Sequence, residues 1–270
     1  MRRSFVWISL MLLCISSVMG QCPVKNTAFK AGEVLTYDLY FNWKFVWIKV
    51  GNASMDISNT RYKGKDAYRC HLITRGSKRA DKFFVMRDTL VSIVDHSIVP
   101  YYFRKGALEG KRYKVDEVWY DYKNEHTLIH QRYKNAEHKV TVQDKRSPEC
   151  VYDMLSMLLK ARSFNTEGYK VNQKIKFLMA DGDDVKQETL IYRGKKNFEM
   201  ENTGVTYRCM VFSFVEYKDN KEKEVITFYV TDDENHLPVR LDMYLNFGSA
   251  KAFLTGYKGV KNPMSSIIKK

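Results

Sequence analysis

Residues 37–47 read YDLYFNWKFVW, with a large apolar side chain at every odd position. The intervening positions include the polar residues Asp38, Asn42 and Lys44. Side chains two residues apart on a β-strand lie on the same face of the sheet. The alternation therefore predicts either one long strand or two strands that join near 42–44, with a continuous aromatic face.

This aromatic face has two interpretations. It is ordinary β-sheet core, because aromatic side chains dominate core burial, or it lines an apolar cavity or groove that holds a lipid or another hydrophobic ligand. In the second case the ligand-binding residues are Tyr37, Phe41, Trp43, Phe45 and Trp47. The sequence leaves both interpretations open.

Segments rich in Val, Ile, Thr and aromatic residues continue along the rest of the chain, which is typical of strands. The predicted strands are 67–74, 82–94, 98–105, 111–122, 127–133, 137–143, 174–180, 185–193, 205–216, 225–231, 237–245 and 250–257. We therefore expect an all-β protein with antiparallel pairing.

One segment follows helical spacing instead. Its apolar residues are Tyr152, Leu155, Leu158 and Leu159. Ser147 suits the N-cap and Pro148 the first helical position. Lys160 and Arg162 suit the negative end of the helix dipole. The pattern predicts a single helix over 148–162.

A short internal repeat links the two halves of the chain. The tripeptide Tyr68-Arg69-Cys70 recurs as Tyr207-Arg208-Cys209, and each copy follows a turn that contains glycine. In both halves an aromatic strand comes next, followed by an acidic turn that ends near a proline. Because the order of features is the same, the repeat indicates two related antiparallel β units on either side of the helix.

We expect these β units to cover 33–146 and 171–259 and to pack as a single domain over 21–270. The predicted architecture is a curved barrel-like or sandwich assembly with the helix between the units. The tail over 260–270 lacks periodicity, so we expect it to be loosely held.

Composition and charge limit the classes of protein. The chain has 270 residues, 45 of them basic and 31 acidic, with a net charge of +14 and 44% hydrophobic residues. This balance is typical of a globular protein and excludes a disordered chain. A basic exported protein suits an anionic partner such as a phospholipid headgroup, lipopolysaccharide or acidic glycan, and scattered solvated charges are the alternative explanation. We find no nucleic-acid-binding motif and expect no nucleic-acid partner.

The N-terminus has the pattern of a signal peptide. Two arginines precede an uncharged run over 5–19, which is shorter than the roughly 20 apolar residues that span a bilayer. Val18 and Gly20 are small enough for a signal-peptidase site. We predict cleavage after Gly20, so that residues 1–20 are removed and a soluble periplasmic protein without a transmembrane segment starts at Gln21. A lipoprotein acylated at Cys22 is the alternative, but Gln21 is a poor match to the preceding position.

Four cysteines remain after cleavage, and an oxidising compartment permits disulfides. We predict that Cys22 and Cys150 pair, which ties the N-terminal arm to the start of the helix. Cys70 and Cys209 lie within apolar strands at equivalent positions of the repeat, so we expect buried thiols there.

Three short motifs follow the N-terminal signal. They are AGEVLTY at 31–37, YDML at 152–155 and LPVRL at 237–241. In this order they resemble the exported bacterial domain-of-unknown-function family 3108 of Gram-negative organisms, over about 29–257. The resemblance implies an antiparallel β-rich envelope protein and implies no activity.

Residue patterns for metal binding are weak. His126 and His130 are four residues apart, which on a strand is roughly 13 Å and too far for one ion. The acidic stretch 181–184 suits a hairpin turn better than a calcium loop. We expect no metal and no cofactor.

Residue patterns for catalysis are equally weak. No Gly-x-Ser-x-Gly nucleophile elbow is present. Asp116, Glu117 and Asp121 lie near Trp119 and have the residue types of a glycosidase pair. A solvent-facing strand explains them as well, so we assign no catalytic residue.

These observations favour a non-enzymatic periplasmic protein that binds an apolar or amphipathic envelope ligand such as a lipid. The alternative is a structural or interaction protein of the cell envelope, with a protein or glycan partner, a solid core and no pocket. A hydrolase with an unrecognised site is a third possibility.

Overall fold

The computed structural model of the protein describes residues 22–43, 46–219, 221–245 and 248–269. The predicted signal peptide over 1–20, the residue Gln21 and the candidate ligand-binding residue Phe45 lie outside these ranges. In the described part, no helix has the length and apolar character needed to cross a membrane.

The chain is built almost entirely of strands. These are β1 (Val34–Trp43), β2 (Val46–Tyr62), β3 (Lys65–Gly76), β4 (Met86–Val94), β5 (Pro100–Glu109), β6 (Arg112–Lys123), β7 (His126–Lys134), β8 (Val140–Ser147), β9 (Val151–Tyr152), β10 (Lys174–Asp181), β11 (Asp184–Glu199), β12 (Thr206–Lys218), β13 (Lys221–Thr231), β14 (Pro238–Leu245), β15 (Gly248–Lys258) and β16 (Ile267–Lys269). The helix α1 covers Met154–Arg162, and a short 3₁₀ helix covers Ala80–Lys82.

All the described strands belong to one sheet. Its order is β8-β7-β6-β5-β4-β3-β2-β1-β15-β14-β13-β12-β11-β10-β9, and β16 pairs with β12 outside this path. The neighbours along this path are antiparallel except for β9 and β10. The predicted all-β, antiparallel architecture is confirmed, in the form of one barrel-like sheet whose halves are the two predicted β units.

The two ends of the sheet meet through side chains. Gln131 of β7 donates to the carbonyl oxygens of Gly182 and Asp184 in the β10–β11 hairpin, at 3.1 and 3.0 Å. Asp116 of β6 accepts from the Gly182 amide at 3.1 Å. Lys145 of β8 donates to the Asp184 carboxylate at 2.6 Å. These contacts bring the first unit against the second and give the sheet its barrel-like shape.

Residues 37–47 belong to two strands, β1 and β2, and not to one long strand. This was the second of the two alternatives that the sequence allows. Near their shared turn the register shifts, because β2 carries one extra residue, Val50. Beyond this bulge Asn42 lies opposite Trp47, and opposite residues of an antiparallel pair share a face. Trp47 therefore lies on the face of Asn42 and not on that of Phe41. The prediction of a continuous aromatic face is wrong.

The helix starts later than predicted, because its N-cap is Asp153. The Asp153 carboxylate accepts from the amides of Leu155 and Ser156 at 3.0 and 2.9 Å. The Ser156 hydroxyl accepts from the Asp153 amide at 2.9 Å. This reciprocal capping box satisfies amides that would otherwise be unpaired at the buried end of α1.

The predicted first turn of the helix is extended instead. Ser147, the predicted N-cap, accepts from the Glu149 amide at 3.0 Å without starting a helix. The two residues of β9 then pair with β10 in parallel. The prediction of a helix over 148–162 is therefore wrong at its start, since strand pairing wins over helix-forming local sequence.

The helix packs between the two halves of the sheet. Leu155 and Leu159, four residues apart on one side of α1, belong to the larger core cluster. This cluster also contains Leu35, Tyr37, Ile57, Cys70 and Phe103. Met157 contributes instead to a second cluster with Tyr192 and Phe212 of the second unit. Side chains from α1 thus fill space between the units.

A buried ion pair joins the N-terminal segment to the end of α1. Arg162 donates to both carboxylate oxygens of Glu33, at 2.5 and 2.9 Å, and to the carbonyl oxygen of Asn235. The side chains of Arg162 and Glu33 are only 2% and 1% exposed. The Arg162 guanidinium also lies 5.6 Å from the centre of the Phe29 ring. Three separate segments of the chain therefore meet at one guanidinium.

The C-terminal segment is attached to the sheet, in contrast to the loosely held tail that the sequence predicts over 260–270. The Ser266 hydroxyl donates to Asp233 at 2.6 Å, and the Asn262 amide donates to the Asn235 side chain at 2.8 Å. β16 pairs with β12. That expectation is wrong for the described residues, because hydrogen bonds rather than a periodic apolar pattern hold this segment.

Turns of the two halves share an unusual backbone shape. Ile98 and His236 adopt left-handed φ angles of 63° and 44°. Each lies two residues before the proline that begins the next strand, Pro100 or Pro238. A left-handed φ is rare for a β-branched residue such as isoleucine. This shared geometry supports the predicted relation between the two β units.

Candidate binding surface

The structure separates the five candidate ligand-binding residues. Tyr37 is buried in the larger core cluster, and its hydroxyl donates to the Pro238 carbonyl oxygen at 3.0 Å. Burial raises the pKa of the Tyr37 hydroxyl. Phe41 is half-buried, and a Cβ at Gly248 would lie only 2.8 Å from its ring. Tyr37 is thus a core residue.

The other candidates lie toward the β1–β2 turn. Trp43 is the last residue of β1, and its side chain is outside what the structure describes, as is Phe45. Trp47 is 37% exposed, and the Lys251 ammonium lies 4.1 Å from the centre of its ring. This cation–π contact covers part of the indole while the rest faces solvent.

Two clefts among the described residues are partly open to solvent. One cleft of about 310 Å³ is lined by Phe84, Glu109, Gly110, Lys111, Arg112 and Lys114. A second, of about 270 Å³, is lined by Lys105, Ala107, Glu109, Lys114, Asp116, Tyr133, Asp181, Gly182 and Asp183. Neither is the closed apolar cavity that a ligand held inside the sheet would need.

Exposed apolar side chains gather instead at one end of the sheet, which we call the hairpin end. It carries the connections between β1 and β2, β3 and β4, β5 and β6, β12 and β13, and β14 and β15, because the strand registers place these strand ends on the same side. Its exposed apolar residues are Val46, Trp47, Ile48, Phe83, Phe84, Tyr113, Tyr217, Tyr244 and Leu245. They lie around this end on both faces of the sheet, since Ile48 lies opposite Phe41 and Trp47 lies opposite Asn42. A group of exposed apolar side chains at one end marks a candidate binding surface.

The β1–β2 hairpin projects beyond its neighbour β3. β2 pairs with β3 only from Gly51 onward, so residues 46–49 form an open strand edge. Val46 is 60% exposed and Ile48 is 44% exposed. This edge of β2 thus exposes apolar side chains together with backbone N–H and C=O groups that β3 does not pair.

The loop between β3 and β4 presents two phenylalanines. The Ser77 side chain and carbonyl oxygen accept from the amides of Ala80 and Asp81, and Arg87 pairs with Asp81. These bonds fix a turn on which Phe83 is 88% exposed and Phe84 50% exposed. A folded loop that keeps a phenylalanine side chain exposed to solvent makes this side chain available to contact a ligand or a partner.

This loop was missed by the sequence pattern, which predicted a strand over 82–94. The strand β4 begins only at Met86, because Ala80–Lys82 forms a 3₁₀ helix. The signal against a strand was the pair Phe83-Phe84, whose adjacent apolar residues break the alternation.

The acidic residues of β6 divide between the two faces of the strand. Asp116 and Glu117 are consecutive and therefore lie on opposite faces of the strand. Glu117 accepts from Arg132 at 2.7 Å and from the Tyr102 hydroxyl at 2.9 Å. Asp121 is exposed. The three carboxyl groups thus face different surroundings.

Asp116 lies in the polar cleft at the seam between the sheet ends. Burial, and then the nearby Asp181 carboxylate, raise the pKa of Asp116 from 3.8 to about 6. The Gly182 amide and the Lys105 ammonium act in the opposite direction. The buried Oδ1 atom of Asp116 has no hydrogen-bond partner in the described part of the chain.

Replacing Asp116 by Asn should flatten the pH dependence of stability. The folded protein binds more protons at Asp116 than the unfolded chain between pH 3.8 and about 6, so stability falls as the pH rises through this window. Asn carries no charge at any pH, so we expect a smaller fall in Asp116→Asn. Urea melts across the window measure it, with exposed Asp121→Asn as the control. Equal slopes in Asp116→Asn and the wild type would contradict the assignment.

The histidine and aspartate candidates for metal binding have other roles. His130 pairs with Asp144 at 2.7 Å, and the His126 ring contacts the Asn124 carbonyl oxygen. Gly182 has a φ of 60° and turns the β10–β11 hairpin. Across the described ranges, no three His, Cys, Asp or Glu side chains are placed to hold a metal ion.

The predicted pair Cys22 and Cys150 is joined by a disulfide, with the Cα atoms 5.4 Å apart. It ties the N-terminal arm to the segment before α1. Cys70 and Cys209 are free and buried, and burial raises the pKa of the Cys209 thiol to about 12. Both thiols are therefore uncharged and poor nucleophiles at neutral pH.

Comparison with known proteins places the chain in a family. A family model described as a protein of unknown function, DUF3108, matches residues 36–255. The chain belongs to the DUF3108 family. A resemblance seen in three short motifs is therefore confirmed over most of the chain. No curated protein matches the sequence.

Two solved structures resemble this DUF3108 chain. One is a β-barrel-like protein of the domain of unknown function DUF1849 from Brucella abortus, with 12% identity, a TM-score of 0.56, and coverage of 87% of this chain and 100% of the other. It supports the barrel-like fold alone. The other, from Bacteroides fragilis, is described as exported with a YmcC-like fold, with 7% identity, a TM-score of 0.36, and coverage of 88% and 100%.

Proposed function

We propose that this DUF3108 protein is a non-enzymatic protein of the periplasm that binds an amphipathic envelope ligand, lipid in particular, at its hairpin end. The observation that carries the proposal is the set of exposed apolar side chains there, above all Phe83. The ligand is held on the outside of the sheet, because side chains of α1 occupy the space between its halves.

Energetics support a surface contact of this kind. Burying a Phe or Val side chain fully is worth about 1.5–3 kcal/mol. Several such side chains around one end of the sheet, each partly buried by lipid, give useful affinity only when they act together. Trp47 and the tyrosines of the hairpin end suit the boundary between lipid and water, since each has an apolar body and a polar group.

The interaction-protein alternative rests on a separate observation, the open edge of β2 at 46–49. An extended segment of another protein can add to such an edge by main-chain hydrogen bonds. Binding of that kind depends on the backbone and tolerates most side-chain changes that leave the strand intact. It is thus distinguishable from lipid binding by mutation.

The export part of the proposal draws support from Cys22. In the structure the sulfur of Cys22 is bonded to Cys150, so no thiol is left there to carry a diacylglycerol group. This favours cleavage after Gly20 over a lipoprotein. Intact mass of the exported protein tests it, and a mass that includes a diacyl group would contradict it.

Truncating the exposed rings should weaken lipid binding without unfolding the protein. We expect Phe83→Ala and Trp47→Ala to lower the affinity for vesicles of phosphatidylcholine and phosphatidylglycerol by about tenfold each. The matched control is Tyr257→Ala, a half-exposed aromatic at the opposite end of β15. Co-sedimentation measures the affinity. No loss in either variant, or equal loss in the control, would contradict the proposal.

The stability of Trp47→Ala separates a surface role from a core role. An exposed indole with one cation–π partner should cost less than about 1.5 kcal/mol on truncation. A core tryptophan would cost about 3–5 kcal/mol. Urea melts of the wild type and the variant decide between these values.

A further inference from the structure

We infer that the hairpin end recognises the anionic, phosphate-bearing headgroups of a membrane surface, through a basic rim beside Phe83 and Phe84. This inference rests on the proposed function and names the class of lipid that the surface takes. The basic rim is formed by the loop 77–85 and the β5–β6 hairpin over 109–114.

The two segments of the basic rim carry many more positive than negative charges. They contain six basic residues and two acidic ones. The basic residues are Lys78, Arg79, Lys82, Lys111, Arg112 and Lys114. Asp81, one of the two acids, is already paired with Arg87, which leaves Glu109 as the other.

The basic side chains of the rim have no ion-pair partners within the described residues. Elsewhere on the sheet such partners are common: Lys49 pairs with Asp38, Lys145 with Asp184 and Arg132 with Glu117. Unpaired cations repel one another, and an anionic partner relieves that repulsion. These residues lie in two separate segments of the sequence, and the fold brings the two segments together at the hairpin end.

The rim is a fixed surface. The Gly110 amide donates to the Val85 carbonyl oxygen at 2.7 Å, which ties the β5–β6 hairpin to the loop. Gly110 has a left-handed φ of 62°, and a Cβ there would lie 3.5 Å from the Phe84 ring. The open cleft of about 310 Å³ lies at this junction, with Lys111, Arg112 and Lys114 on its wall.

The neighbouring phenylalanines select a lipid surface over a soluble anion. A free phosphate needs only the cations and gains nothing from Phe83, which is 88% exposed. At a bilayer, the cations meet the headgroups while the rings enter the acyl boundary. Basic residues near an anionic leaflet attract it, and the attraction weakens within a Debye length and with added salt.

The test compares vesicles of phosphatidylcholine alone with vesicles that also contain phosphatidylglycerol. We expect the wild type to bind the anionic vesicles at least about tenfold more tightly at low salt, with the preference shrinking as salt is added. The double variant Lys111→Gln/Arg112→Gln should lose about tenfold on anionic vesicles and keep its binding to phosphatidylcholine. The control is Lys123→Gln/Lys258→Gln, two exposed lysines at the ends of β6 and β15 that lie away from the hairpin end.

Three results would overturn the inference, and they differ in what they leave standing. Equal binding to both kinds of vesicle removes the headgroup preference and leaves the proposed function intact. Binding to neither removes both. Binding of soluble glycerol 1-phosphate that matches the vesicle affinity shows an anion site without a membrane. Urea midpoints equal to the wild type show that the variants are folded.

Discussion

Truncating either partner of the Arg162–Glu33 pair should cost about 3–5 kcal/mol, which is the cost of leaving a buried charge unpaired. That is a large part of the roughly 5–15 kcal/mol that stabilises a typical domain. Arg162→Ala would leave the Glu33 carboxylate buried without the guanidinium, and Glu33→Ala would leave the buried guanidinium with the Asn235 carbonyl oxygen and the Phe29 ring but no counter-charge from Glu33. Urea unfolding measures both.

The matched control is Arg61→Ala, whose ion pair with Asp66 is 73% exposed on both sides. Exposed pairs contribute about 0–1 kcal/mol, so this variant should unfold close to the wild type. The double variant Arg162→Met/Glu33→Leu should recover much of the loss, since it leaves no unpaired charge. Single variants that unfold like the control would show that the pair is not buried in solution.

Loss of the Cys22–Cys150 disulfide should cost about 2–5 kcal/mol. The bond closes a loop with a sequence separation of 128 residues, and long loops give the largest entropic contribution in the chain-entropy model. We expect Cys22→Ser/Cys150→Ser to unfold at lower urea than the oxidised wild type. Adding a reductant to the wild type should have the same effect.

Two comparisons keep that prediction specific. The double serine variant should not respond to reductant, because Cys70 and Cys209 are free and buried. Its native near-ultraviolet signal should persist, since the pair Glu33–Arg162 and the sheet contacts are independent of the bond. A wild type whose midpoint ignores reductant would mean that the disulfide contributes nothing measurable.

Much of the fold was predictable because local patterns and the final environment agree. The period-two alternation marks strands that lie in a sheet with one face in the core. The pairing of Cys22 with Cys150 follows from the placement of the other two cysteines within apolar strands. The family follows from short motifs, and two of them, AGEVLTY and LPVRL, meet in space where the Tyr37 hydroxyl donates to the Pro238 carbonyl oxygen.

Other features depend on contacts that lie outside any sequence window. The bulge at Val50 moves Trp47 to the other face of the hairpin, and one inserted residue in a strand gives no compositional signal. The start of α1 depends on whether Ser147 or Asp153 caps it. Both residue types are good N-caps, and the pairing of β9 with β10 decides the choice.

The candidate binding surface was hidden for a related reason. The sequence shows lysines and arginines that look scattered, and two adjacent phenylalanines that look like strand. Only the registers of β3, β4, β5 and β6 show that 77–85 and 109–114 meet at one end. Hydrophobic periodicity predicts which side chains lie on the same face of a strand. Which loops lie next to each other depends on the order and register of the strands in the sheet.

Hydrogen exchange with and without lipid vesicles tests the central claim most directly, because it locates the contact without mutation. We predict that vesicles slow exchange of amides in 46–50, 77–85 and 244–245, and leave the opposite end at 199–206 and 231–237 unchanged. Slower exchange confined to the strand interiors or to the opposite end, or no change at the hairpin end despite binding, would contradict the claim that the ligand is held on the outside of the sheet.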